Sequence, residues 1–397
     1  MTFEEARACV IERVTAGRVF APPEEVMLES AAGRVLAESI LADRDFPALA
    51  RSVRDGFAVR AEDVPGTLAV IGEVRAGERC EAVVGPGEAV EIMTGAPVPE
   101  GANAVVMVEH VTRGPDGSIT TDRAAESGQF INPQGCEARA GETQLTPGKR
   151  LNFADIAALA AVGKARVAVC PKPRVALLAT GDEIVPVTET PRDFQVRNSN
   201  VYSLATQVTR AGGIPVLLTV AKDEYKDTRR LVELGIASDL LLLSGGVSAG
   251  KYDIVERVLA DLGAEFFFDR VLIQPGQPVV FGRVQDKFFF GLPGNPGSAM
   301  VTFELFARAA LELLGGEARA DLPLILAPLT RDFHHKTGLT RFLPATICWT
   351  AAGPQLTPIG WSGSGDVPAL SRANAFLVAD ADRPEWKAGE WMRVLLK

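Results

Sequence analysis

LLLLSGGVSAGKYD, running from Leu240 to Asp253, sets an unbroken aliphatic run against a glycine-rich polar loop that ends in a carboxylate. Consecutive leucines without alternation suit a strand buried on both faces of a parallel sheet. Gly245 and Gly246 let the backbone take positive φ and approach a ligand closely, Ser244 and Ser248 supply hydroxyls, and Asp253 can hold a hydrated cation. Taken alone, Gly-Gly after a strand reads equally as a tight turn.

The same grammar recurs on both sides. RVALLA (Arg174 to Ala179) closes on Thr180-Gly181-Asp182-Glu183, and Val216 to Val220 leads into Lys222-Asp223-Glu224. KFFFG (Lys287 to Gly291) runs into Leu292-Pro293-Gly294-Asn295-Pro296, ahead of a helical pattern from Ser298 to Leu314. Amphipathic stretches lie between these strands. Asn198 to Ala211 opens on the capping residues Asn198 and Ser199 and stops at Gly212-Gly213, and Asp227 is placed to cap a helix through Leu234. Alternating strands and helices imply right-handed crossovers and a parallel sheet with helices on both faces, where ligands bind beyond the carboxyl ends of the strands. Four carboxylates on that edge, Asp182, Glu183, Asp223 and Asp253, repel one another unless a cation sits among them. Magnesium fits, because it takes oxygen ligands and shares them with substrate phosphates. Any one of these acids also reads as a helix cap or a solvated side chain.

Elsewhere, Phe3, Ala6, Val10 and Val14 stand at helical spacing within Thr2 to Val14, Glu25 to Ala42 begins a second element, and Leu151 to Val162 is a further amphipathic helix. Val-rich segments with turns such as Val84-Gly85-Pro86-Gly87 make Asp45 to about Glu142 a compact β domain. Cys170-Pro171-Lys172-Pro173 links it to the sheet domain. After Gly315-Gly316, strands at Thr340 to Trp349, Ala375 to Ala379 and Trp391 to Leu396 suggest a small barrel.

In chain order, IMTGAPVPEGANAVVMVEH (Ile92 to His110), LLATGDEI (Leu177 to Ile184), SGGVSAGKYD and GLPGNPGSAM (Gly291 to Met300) resemble the molybdopterin molybdenumtransferases. That family takes in the bacterial molybdenum-inserting enzyme and the corresponding domains of plant cofactor-synthesis proteins and gephyrin. The resemblance implies insertion of molybdate into adenylylated molybdopterin with magnesium-dependent release of AMP. It also implies a homodimer whose active site lies between the sheet domain of one subunit and the second domain of the other, with other cofactor-synthesis proteins as further partners. The implied architecture is multidomain, mixed α/β and β: a helical and linker domain over 1–44 plus 141–172, a β-rich domain over 45–140, a doubly wound molybdopterin-binding α/β domain over 173–318, and a C-terminal β-barrel over 319–397. Asp55 in RDGFAV, Glu183, Asp223 and Asp253 become the catalytic carboxylates, with Asp182, Glu183, Asp223 and Asp253 around magnesium. Thr94, Thr180, Gly181, Ser244, Gly245, Gly246, Ser248, Gln274, Gln277, Pro293, Gly294, Asn295, Pro296 and Ser364 become the cofactor-binding residues.

The chain departs from the family pattern at several points. KPGKP, with two lysines suited to an oxyanion, reads QPGQP here, with Gln274 and Gln277; Pro344 replaces an arginine, and Gly135-Cys136-Glu137 stands for GED. The usual DNSAMDG becomes Ala50 to Gly56, which brings in Arg51 and Arg54. Two readings follow. One is a transferase with a rebuilt oxyanion pocket, for molybdate or tungstate, in which Arg51 or Arg54 supplies the charge. The other is a divergent paralogue that binds molybdopterin or a partner as carrier or scaffold. The retained acids favour the enzyme.

Composition agrees. A chain of 397 residues exceeds one core, and a net charge of −9 without a basic stripe argues against nucleic acid as partner. The five cysteines show no CxxC spacing, so free buried thiols are expected and zinc is not. An acidic start and the lack of any run of about 18 apolar residues point to the cytoplasm and away from membranes.

Overall fold

Helix α1 (Phe3–Gly17) starts at a capping box in which the Thr2 hydroxyl accepts from Glu5 N while the Glu5 carboxylate accepts from Thr2 N. The computed structural model describes residues 1–246 and 254–397. The Val-rich segments form a six-stranded sheet from β1 (Gly56–Val59), β2 (Gly66–Val74), β3 (Glu88–Ile92), β4 (Ala104–Met107), β5 (Thr112–Arg113) and β6 (Ile119–Thr121), ordered β4-β1-β3-β2-β6-β5. Side chains alternate across it: Phe57, Val59 and Leu68 fill one core and Ala58, Val90 and Ile92 the other.

The chain on either side of this sheet is stitched together. Glu24–Met27 pairs antiparallel with Arg166–Val169, and Ile40–Leu41 with Thr143–Leu145. Leu36, Ile40, Leu145 and Val167 share a core there with Leu159 of helix α2 (Phe153–Ala161). The stretch from Glu25 to Ala42 thus consists of short strands and a single turn of 3-10 helix. Helix α1, expected with this unit, instead buries Phe3, Ala6, Val10 and Val14 in the core of the next sheet.

That sheet contains β7 (Arg174–Ala179), β8 (Ile214–Leu217), β9 (Leu240–Ser244), β10 (Glu265–Phe268), β12 (Val280–Val284) and β13 (Lys287–Leu292), ordered β8-β7-β9-β13-β12-β10; the short β11 (Ile273–Gln274) leaves it. Strands β8, β7, β9 and β13 are parallel, as the aliphatic runs require. The all-parallel expectation fails at the other edge, where β12 and β10 run antiparallel. Only Gln285 and Asp286 connect β12 to β13, both at positive φ (47° and 64°), which is a two-residue hairpin turn and too short for a crossover. Val175 and Leu177 of β7 face α1 and helix α3 (Asn200–Arg210), while Ala176 and Leu178 face helices α4 (Tyr225–Ile236) and α5 (Ile254–Asp261). Two caps differ from expectation. In α3 the Asn198 side chain accepts from Val201 N at 3.3 Å and Ser199 makes no capping bond. Helix α4 starts two residues before Asp227, whose carboxylate accepts from Lys222 N at 3.1 Å.

After β13, helix α6 (Pro296–Thr302), a π-helical turn (Phe303–Ala307) and α7 (Arg308–Leu314) pack on the α1 face. The last sheet orders β11-β15-β17-β18-β14, from β14 (Leu324–Pro328), β15 (Thr340–Thr350), β17 (Ala375–Ala379) and β18 (Trp391–Leu396), with β16 (Gly353–Pro358) beside β15 and helix α8 (Val367–Arg372) before β17. A bridge between Leu329 and Leu356 joins β14 to β16 and closes the ring around Leu343, Leu377, Met392 and Val394. The five cysteines are free, and Cys136 and Cys348 are exposed rather than buried. Among the described residues no helix is long and apolar enough to cross a membrane.

Candidate active site at the carboxyl ends of the sheet strands

Strands β7, β9 and β13 end together, in the register Ala179 to Ser244 to Leu292. Beyond them lies a cavity of about 650 Å³ lined by Thr180, Glu183, Asn198, Asn200, Ser244, Gly245, Gly294, Asn295 and Pro296. Gly245 and Gly246 take φ of +89° and +61°. A Cβ on Gly245 would stand 2.8 Å from the Thr180 carbonyl oxygen, and one on Gly246 2.6 Å from Thr180 Oγ1, so only glycine allows this turn. Asn200 Nδ2 donates to Ser244 Oγ at 2.8 Å and to the Gly294 carbonyl at 2.7 Å, fastening α3 to the loops after β9 and β13. Two buried oxygens at this junction, Thr180 Oγ1 and Asn200 Oδ1, have no hydrogen-bond partner among the described residues. Buried polar atoms are almost always satisfied, so these two are candidates to meet a ligand's polar groups.

The acids sit at the next strand ends. Thr180 bridges Ala221, and Gly181 N donates to the Ala221 carbonyl at 3.2 Å, which brings Asp182 and Asp223 side by side with Asp223 N donating to Asp182 Oδ1 at 3.3 Å. Both are exposed. Glu183 folds back over Gly181 and lines the cavity. Asp253 and Ser248 lie outside the described residues. Among the described residues no three Asp, Glu, His or Cys side chains are grouped to hold a metal. Asp182 and Asp223 offer the two-carboxylate, water-accessible set that magnesium uses when phosphate supplies the remaining oxygens.

The β-domain residues form a separate wall. Asp55 Oδ1 accepts from Thr94 N at 2.6 Å and Thr94 Oγ1 at 2.8 Å, and these hydrogen bonds hold the Asp55 carboxyl below the usual carboxylate range. Thr94 lines a second cavity, of about 550 Å³, with Arg44, Asp45, Arg51, Asn132 and Glu137. Arg54 lies over the Phe130 ring at 5.8 Å.

Three regions of the chain match known families in order: residues 1–163 the MoeA N-terminal region (domain I and II), residues 176–313 a probable molybdopterin binding domain, and residues 326–397 the MoeA C-terminal region (domain IV). The chain is 35% identical to the molybdopterin molybdenumtransferase of Bacillus subtilis (strain 168) over 384 residues, 94% of this chain and 89% of that one. It belongs to the molybdopterin molybdenumtransferase family. The enzyme of the same name from Staphylococcus aureus (strain COL) is 32% identical over 97% of this chain and 94% of its own. A crystal structure of the molybdopterin biosynthesis moeA protein from Pyrococcus horikoshii OT3 superposes with a TM-score of 0.82 at 29% identity, covering 100% of both chains. These matches do not favour the carrier or scaffold reading.

Against that family pattern, QPGQP and its surroundings are where this molybdenumtransferase relative differs. Gln274 pairs with Arg341 across β11 and β15, and the Gln277 carbonyl accepts from Val271 N at 3.0 Å. Ser364 is tied to the start of α6, its carbonyl accepting from Gly297 N at 2.7 Å, beside the cavity-lining Gly365 and Val367. Pro293 is buried under the same loop. Sequence reasoning missed Asn200, which lines the cavity; it stands next to the capping pair Asn198-Ser199, and that spacing does not distinguish it.

Proposed function

We propose that this family member transfers molybdenum to molybdopterin, taking adenylylated molybdopterin and molybdate and releasing AMP. The two unsatisfied buried oxygens, Thr180 Oγ1 and Asn200 Oδ1, at the cavity beyond β7, β9 and β13 carry the reading. A pterin edge offers donors and acceptors in one plane, and a hydroxyl and an amide oxygen fixed by Ser244 and Gly294 can meet them without rearrangement. The narrow turn at Gly245-Gly246 lets backbone amides approach a phosphate, and Asn200, held from two sides, orients the ligand. Asp182 and Asp223 would hold magnesium, which would supply positive charge against the phosphates of the phosphoanhydride.

The working form is a homodimer in the cytoplasm, in which the Asp55 and Thr94 wall of one subunit completes the cavity of the other. Two wide, separate cavities on one chain support that arrangement. The test is AMP release from adenylylated molybdopterin, followed chromatographically with molybdate and magnesium present or omitted. Release that needs both supports the reading. Protein that binds the pterin but releases no AMP under any of these conditions overturns it.

A further inference from the structure

A short ribbon rims the cavity beyond β7, β9 and β13. Between β7 and α3, Ile184–Val185 pairs in parallel with Val196–Arg197. Val196 N donates to the Glu183 carbonyl and Asn198 N to the Val185 carbonyl, each at 2.9 Å. The chain between the two short strands is therefore a closed excursion, and Arg197 fastens it, its Nε donating to the Glu189 carbonyl at 2.9 Å. Ile184, Val196, Arg197 and Asn198 all line the cavity.

Arg197 stands apart from its neighbours in charge. Among the described residues lining the cavity it is the only lysine or arginine, while Glu183 lies on the same wall. Asp182 and Asp223 sit together at the adjoining strand ends. Phosphates entering beside these carboxylates are repelled unless cations offset them. Magnesium would supply one such charge, and Arg197 is the protein's own.

The state of its guanidinium suits that task. Nε is taken by Glu189, and among the described residues the two terminal nitrogens have no hydrogen-bond partner and no ion pair. Anchoring through Nε orients the guanidinium plane and leaves a fork of N–H donors, a shape that matches two oxygens of one phosphate. The side chain is exposed, so water solvates the charge while the site is empty.

We propose that Arg197 grips the phosphoanhydride of the adenylylated pterin and so selects a phosphorylated ligand for this cavity. The inference rests on the transferase reading and adds to it a substrate-contacting residue on the ribbon.

Equilibrium binding of adenylylated molybdopterin to the full-length protein, at low and at high salt, tests it. Arg197→Gln should weaken binding by about tenfold or more, as loss of a charge-assisted hydrogen bond does. Wild-type binding should fall more steeply with salt than that of Arg197→Gln, because one attraction subject to screening is gone. Arg197→Lys keeps the charge and gives up the Nε anchor, and should fall between. Arg192→Gln removes the same charge from the same excursion at an exposed position that does not line the cavity, and should match wild type. The proposal fails if Arg197→Gln binds the pterin as wild type does, or if Arg192→Gln weakens it as much, which would make the effect a diffuse field. It also fails if Arg197→Lys is as weak as Arg197→Gln, which would assign the loss to the broken Glu189 bond. Wild-type protein that binds the pterin with no response to Arg197 removes this inference alone, whereas wild-type protein that binds no adenylylated pterin removes the transferase reading and this inference with it.

Discussion

Replacing Thr180 with valine deletes one buried oxygen while keeping the volume and the β-branched backbone preference. Thr180 is 5% exposed and its Oγ1 has no partner among the described residues, and a desolvated hydroxyl of that kind costs about 1–3 kcal/mol. The strand-end geometry does not depend on that hydroxyl, because Thr180 N still donates to the Ser244 carbonyl at 3.1 Å. Thr180→Val should therefore move two quantities in opposite directions. The free protein should become more stable by about 1 kcal/mol, while adenylylated molybdopterin loses a hydrogen bond and about tenfold in affinity. Urea unfolding of the free protein and equilibrium binding of the adenylylated pterin read the two separately. Lowered stability with unchanged affinity would make the hydroxyl structural and would refute the assignment of the cavity.

Gly246→Ala sets a Cβ 2.6 Å from Thr180 Oγ1 at φ +61°, and should cost about 1–2 kcal/mol of stability and most of the pterin affinity; an unaffected variant would show that the turn does not shape the site. Asp223→Asn should raise the magnesium needed for half-maximal AMP release by about tenfold, through loss of a carboxylate ligand, and an unchanged magnesium titration removes Asp223 from the metal site. Burial pushes the Glu312 carboxyl up to about 7, even though Arg308 Nε lies 3.2 Å away. The folded state thus holds that proton more tightly than the unfolded chain, and its contribution to stability falls as pH rises from the ordinary carboxylate value to about 7, by at most about 3 kcal/mol. Urea unfolding at pH 5 and pH 8 should show that loss in wild type and not in Glu312→Gln; equal loss in both would contradict it.

The strands legible in the sequence were those whose burial is two-sided, since Leu240 to Leu243 and Val175 to Ala179 carry no polar residue to confuse the period. The turn between β12 and β13 was not legible, because Gln285 and Asp286 take positive φ without the glycine that usually announces it. The destination of α1 was hidden for a different reason. Its apolar face fixes a helix but not a partner, and the partner is a core more than 150 residues away in sequence, around Val175 and Leu177. At the site, glycine and carboxylate spacing located Thr180, Ser244, Gly245 and the Asp182 and Asp223 pair. Asn200 is set by its tertiary neighbours Ser244 and Gly294, and no local spacing encodes that. Arg51, offered by the sequence with Arg54 as a replacement for the lost lysines, lines the β-domain cavity together with Thr94, and Arg54 stands over Phe130.

Loading of molybdenum tests the central claim most directly. Purified protein incubated with adenylylated molybdopterin, magnesium and molybdate is mixed with a cofactor-free molybdenum enzyme, and the activity regained is compared with the AMP released. The transferase account predicts that both rise together, depend on molybdate, and fall together in Thr180→Val. Pterin that stays adenylylated and leaves the acceptor enzyme inactive would contradict it.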